Sequence, residues 1–105
     1  MIRESEGDFE TWFKDAAQLA GWQVYHTRDS RGSDEGFPDW VLWKPGRLIF
    51  AELKDDKRQP TPKQRAWLEG LQTVADVPGS PVEVYLWRPA DRTAIERVLG
   101  LGRAP

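Results

Sequence analysis

The sequence contains no cysteine, which excludes a disulfide framework and any thiolate metal site. It has one histidine, His26, and no glycine-rich phosphate loop. Nucleophilic-triad chemistry of the usual type and nucleotide-cofactor chemistry therefore find no support. No apolar run reaches membrane-spanning length. The first residues, Met1 to Glu6, lack the apolar core of a signal peptide, so a cytoplasmic protein is expected. Positive charge is also short: the formal net charge is -2. Proteins that hold nucleic acid by bulk charge are usually basic. Any contact with nucleic acid here must use local basic clusters or a bound cation. Internal repeats and low-complexity tracts are absent.

What is present is a globular composition, 39% hydrophobic and 30% charged, with six tryptophans in 105 residues. That length predicts one domain over residues 1–105, and the tryptophans supply large apolar surfaces for its core. Phe9, Trp12, Phe13, Ala16, Leu19 and Ala20 recur at helical spacing, predicting a helix over about 5–20 with Ser5 as N-cap and Gly21 as stop. Residues 22–26 read as a strand with Trp22, Val24 and His26 on one face, and residues 27–36 as a polar loop. A hairpin follows, with strands over 39–43 and 48–53 joined by Lys44-Pro45-Gly46-Arg47. Thr61, Pro62 and Gln64 form a capping-box start for a second helix, whose stripe is Trp67, Leu68, Leu71, Val74 and Ala75. A strand over 82–87 and a last helix over 91–99 complete the order αβββαβα. Both hairpin faces carry apolar residues, so helices are expected on both sides of the sheet.

The hairpin also carries the chemistry. With Lys44 opposite Arg47, Trp43 faces Leu48, Val41 faces Phe50 and Asp39 faces Glu52. Side chains alternate by face, so Asp39, Glu52 and Lys54 share the polar end of one apolar face, with Trp40, Leu42, Ile49, Ala51 and Leu53 on the other. Opposed like charges destabilise a strand pair. At about 5 Å and an effective dielectric of roughly 20, the repulsion is about 3 kcal/mol. Lys54 offsets part of it, and Mg²⁺ would offset more, since it binds one or two carboxylates with water and phosphate. A bulged Pro-Gly turn would instead shift the register by one residue and set Asp39 diagonal to Glu52. The plainer reading is an edge ion pair of Glu52 with Lys54.

Gly36-Phe37-Pro38-Asp39 followed by Ala51-Glu52-Leu53-Lys54 resembles the PD-(D/E)XK nuclease signature. The wider set, Ala20 to Trp22, Val24 to His26, Ser30-Arg31, Gly36 to Leu42, Thr61 to Leu68 and Tyr85 to Pro89, resembles its VRR-NUC branch. The resemblance implies an α/β fold of restriction-endonuclease type: an αβββαβ core, a mixed central sheet flanked by helices, and an extra C-terminal helix. It implies Asp39 and Glu52 as metal-binding carboxylates, joined by the Leu53 carbonyl, with Lys54 beside the attacking water. A first-helix glutamate usually completes such a site, and Glu6 matches best, although Glu10 lies one turn away. Glu6 shares a helical face with Phe9 and Phe13, but the helix dipole alone also favours an acid there. Gln64 matches a glutamine of the second helix, and its capping-box role explains it equally well. Trp40 departs from the family, where a smaller aliphatic residue is usual.

The implied activity is Mg²⁺-dependent hydrolysis of DNA phosphodiesters, with Mn²⁺ able to substitute. Free-standing members resemble junction resolvases of bacteria and phages, which implies branched or four-way-junction DNA and a homodimer in a bacterial cytoplasm. The aromatics of 82–87 or the last helix are its candidate interface. Arg28, Arg31, Lys57, Arg58 and Lys63 are candidate DNA contacts; solvated charges balanced by neighbouring aspartates describe them equally well. His26 reads as a partly exposed strand histidine. Competing readings are a catalytically weak nucleic-acid-binding module, a monomeric nicking or flap nuclease, and a small structural domain.

Overall fold

The computed structural model describes residues 6–27, 32 and 34–102. Helix α1, Glu6–Leu19, leads into strand β1, Gln23–His26; the hairpin is β2, Trp40–Lys44, and β3, Arg47–Leu53. Helix α2, Pro62–Ala75, crosses to strand β4, Val82–Trp87, and a short 3-10 turn, Pro89–Asp91, opens helix α3, Arg92–Leu99. The sheet order is β1-β2-β3-β4, antiparallel except for the parallel pair β3–β4. Parallel strands need a crossover, and α2 is that crossover. The fold is thus α/β, a four-stranded mixed sheet flanked by helices.

The hairpin closes in the unbulged register: Lys44 pairs Arg47, Trp43 pairs Leu48 and Val41 pairs Phe50. Pro45 takes the first corner and Gly46, at φ +83°, the second, as a type II turn demands. The bulged alternative is not adopted.

One sheet face is fully covered. Trp40, Leu42, Ile49, Ala51 and Leu53 are buried beneath Phe9, Phe13, Ala16 and Ala17 of α1 and Ile95 and Leu99 of α3. Phe13 meets Trp40 edge-on at 5.1 Å. Two expectations for α1 are corrected in detail: Leu19 is exposed, and Ala17 is buried in its place. The inward arc centres on Phe9, Phe13 and Ala16; at 3.6 residues per turn Ala17 falls inside it and Leu19 outside. Gly21, at φ +89°, ends the helix as expected, and the Trp22 indole N–H donates to the Leu99 carbonyl at 2.9 Å. Lys44 and Arg47 lie over the Trp22 ring. Arg47 also grips Glu83 through two bonds of 2.7 and 2.6 Å and donates to the Val98 carbonyl, tying the hairpin turn to β4 and α3.

The other face is not fully covered, against expectation. Helix α2 lies over it but contributes no buried residue, and Trp67 and Val74 of its stripe remain exposed. The reason is width. A helix is about 10 Å across and strands are about 4.8 Å apart, so one helix spans about two strands of four. As the β3–β4 crossover, α2 leaves Tyr25 of β1 and Trp43 of β2 exposed. The aromatics of β4 are also corrected as an interface: Trp87 is buried and Tyr85 stacks on it at 4.3 Å. The residue β4 exposes is Leu86.

Candidate active site

Glu52 is the one buried charged residue among the described residues, at 1% exposure. It occupies the sixth of seven positions of β3, on the face beneath α2. Asp39 precedes β2, and its carbonyl accepts the Thr27 N–H at 2.9 Å, so the β1–β2 pairing fixes its backbone. The Asp39 N–H donates to Glu52 Oε1 at 3.2 Å. The two carboxylate residues are therefore neighbours across the hairpin, one step beyond the Trp40–Ala51 pair.

Lys54 approaches Glu52 Oε2 with its ammonium at 3.6 Å, and its side chain is only 12% exposed. Its N–H bonds to the Trp87 carbonyl at 3.0 Å, which holds the end of β3 against β4. Gln64 serves both expected roles. Its side-chain oxygen accepts the Thr61 N–H at 2.9 Å in the capping box, while its amide nitrogen donates to Glu52 Oε2 at 3.2 Å. Helix capping thereby aims the amide at the carboxylate. The side chain of Leu53 is buried on the opposite face of the sheet.

Burial, and secondarily the charge of Asp39, push the Glu52 carboxyl up to about 7. Burial also raises Asp39, against the opposing pull of His26 and Lys54. Both groups are thus held short of easy ionisation. A hard divalent cation fits this donor set. It would compensate both charges, and Glu52 Oε1, which accepts the Asp39 N–H, retains a second acceptor position. Among the described residues no cluster of three or more acidic, histidine or cysteine side chains is assembled. Two carboxylates with water and phosphate are a usual Mg²⁺ set.

Glu6 opens α1, but its side chain lies outside the described residues, as do Arg28 and Arg31. Glu10 is half-buried and borders a hollow with Lys14 and His26. His26 stacks flat on Trp40 at 3.8 Å. Lys57 and Arg58 are exposed, and their backbone N–H groups bond the Asp55 carboxylate. Lys63 is exposed and pairs with Glu35 at 3.2 Å.

Three residues that entered the sequence reading only as part of the resemblance, with no role of their own, also contribute. Gly36, at φ +92°, lets the loop before Asp39 touch the first turn of α2; a Cβ there would lie 2.6 Å from the Lys63 carbonyl group. Its place just before Pro38-Asp39 was the available signal. Arg88 donates to the carbonyls of Asp55 and Arg58 and so pins the connector after Lys54; no sequence signal marks that contact. Phe37 meets Phe50 and Trp67 edge-on, at 5.9 and 5.1 Å, bridging the hairpin and α2.

The family model for the VRR-NUC domain matches residues 11–87. The matched span includes Asp39, Glu52, Lys54 and Gln64; Glu6 and α3 lie outside it. No curated protein and no solved structure matches the chain.

Proposed function

We propose, from the premise that this chain belongs to the VRR-NUC domain family of PD-(D/E)XK-type nucleases, that it is a Mg²⁺-dependent endonuclease acting on branched DNA with Asp39, Glu52 and Lys54 as its catalytic residues. The family makes it a nuclease with a nucleic-acid substrate; the metal, the DNA structure and the residues are our reading. The observation that carries it is the buried Glu52 carboxylate facing Asp39, with Lys54 and Gln64 on its second oxygen. Burying a carboxylate is costly even when it is hydrogen-bonded, and carboxylates perturbed in this way cluster at functional sites.

Asp39 and Glu52, with the Leu53 carbonyl and Glu6, would hold the metal, and the metal when bound supplies a Lewis acid that acidifies water and binds the scissile phosphate. Lys54 places a positive charge beside Glu52, where it offsets negative charge developing on the phosphate. Gln64 fixes the Glu52 rotamer, so the carboxylate needs little reorganisation. Lys57, Arg58 and Lys63 are exposed near the end of β3 and the start of α2, suited to phosphates on either side of the cut. Arg28 and Arg31 complete the proposed contacts from the preceding loop. A chain of this size reaches one scissile strand, so paired cuts across a junction call for a two-fold homodimer.

The test is cleavage of labelled four-way junction, flap, single-stranded and linear duplex DNA with Mg²⁺, with Mn²⁺ and with chelator. Metal-dependent cutting of the branched substrates is expected. Wild-type rates from Asp39→Asn or Glu52→Gln would refute the site assignment. A strict monomer on gel filtration that still cuts flaps would replace the resolvase with a nicking or flap nuclease.

A further inference from the structure

A cavity of about 590 Å³ opens beside Asp39, between the loop at 34–37 and the first turns of α2. Its size is that of a small-molecule site. The aromatic part of its lining is Tyr25, Phe37 and Trp67, and the charged part is Asp34, Glu35 and Asp39. No lysine or arginine lines it among the described residues; Lys63, outside the lining, pairs with Glu35. Tyr25 is 60% exposed and Trp67 38% exposed. Single exposed aromatics are ordinary. Several gathered around one cavity next to two catalytic carboxylates are not.

We infer that this cavity receives one unpaired base of the DNA strand whose phosphate lies at Asp39 and Glu52. The inference rests on the nuclease reading above and deepens it, since it names an unpaired nucleotide as part of the substrate. The charge pattern selects the occupant. The described lining offers a phosphate no lysine or arginine, so the backbone passes outside the cavity, where the metal proposed at Asp39 and Glu52 would meet it. Carboxylates accept hydrogen bonds from the amino groups on base edges, as acidic side chains do from cytosine N4. Aromatic rings offer every base a stacking surface. A base still paired in a duplex has its amino group and both faces engaged, whereas an unpaired base next to a branch point brings them free. The geometry also explains why Gly36 must lack a side chain. It brings the loop carrying Glu35 and Phe37 against the first turn of α2, which closes the cavity's wall.

The test measures binding of branched DNA to the Lys54→Met protein in Mg²⁺, which removes the ammonium and leaves the cavity intact. An abasic nucleotide is walked through the positions flanking the scissile phosphate. At one unpaired position it weakens binding about 5- to 150-fold, the range for one stacked base. That penalty shrinks in Tyr25→Ala and in Trp67→Ala and returns in Tyr25→Phe. A penalty that is absent at every position, or unchanged in both alanine variants, overturns the inference. Cleavage by the parent protein separates the two failures. If the parent cuts DNA while the abasic penalty is absent, the base pocket alone is wrong. If the parent cuts no DNA, the nuclease reading falls and the base pocket falls with it.

Discussion

The two faces of the β2–β3 hairpin come from alternate residues of the same strands, yet they have opposite characters. Trp40, Leu42, Ile49, Ala51 and Leu53 are sealed under two helices. On the other face, Val41, Phe50 and Glu52 lie toward a single helix that buries none of its own residues, and Tyr25 and Trp43 stay exposed. The first face carries stability. The second holds a buried carboxylate that costs stability and leaves surface open for a substrate. A period of two along the chain thus separates folding from chemistry with no change of element.

The sharpest way to break this comparison is to exchange the effects of a mutation between faces. Glu52→Gln removes one of the two proposed metal carboxylates and keeps the shape. Cleavage should fall at least 10³-fold, since such a site supplies several kcal/mol to the transition state. The melting temperature of the metal-free protein should hold or rise, as a buried charge is lost. Ile49→Ala, one face over, should do the reverse. A cavity under α1 and α3 should cost about 2–5 kcal/mol in denaturant unfolding, with cleavage per folded molecule retained. Loss of activity without loss of stability at Ile49 would erase the division.

Next in size is the pH dependence. Glu52 ionises near its ordinary value in the unfolded chain but near about 7 in the fold. Below pH 4.5 it is protonated in both states. As pH rises toward 7 the unfolded chain releases the proton first, so the metal-free protein should lose stability across that window. Urea unfolding at several pH values should show this slope in the wild type and a flatter one in Glu52→Gln. Added Mg²⁺ should offset it. The smallest effect is expected from Thr61→Ala, which removes the cap of α2. It should cost about 0.5–2 kcal/mol, and cleavage should drop with it because the same turn holds Gln64 against Glu52.

The hairpin was legible because local signals agreed: two short apolar runs joined by a Pro-Gly turn, with Asp39, Glu52 and Lys54 at their open end. Those signals offered Asp39 opposite Glu52 with a bulged, diagonal register as the alternative, and the observed pairing decides for the first. Gln64 was legible as a cap from Thr61 and Pro62 and as a site candidate from the resemblance; its bond to Glu52 is a tertiary contact. The coverage of the sheet was not legible. Which strands α2 shields depends on its being the β3–β4 crossover, a tertiary fact. Leu19 and Ala17 exchanged places because the roll of α1 about its axis, fixed by packing Phe9, Phe13 and Ala16, is also a tertiary fact. Arg47 with Glu83, separated by 36 residues, leaves no mark on local pattern. The cavity of Tyr25, Phe37 and Trp67 joins three separate elements, so no window of sequence could display it.

The central claim is that Asp39 and Glu52 together hold a divalent metal. Calorimetric titration of Mn²⁺ into the wild type, Asp39→Asn and Glu52→Gln, without DNA, addresses it most directly. The account predicts a binding isotherm for the wild type that is lost in each single variant. Equal binding by all three proteins would contradict it.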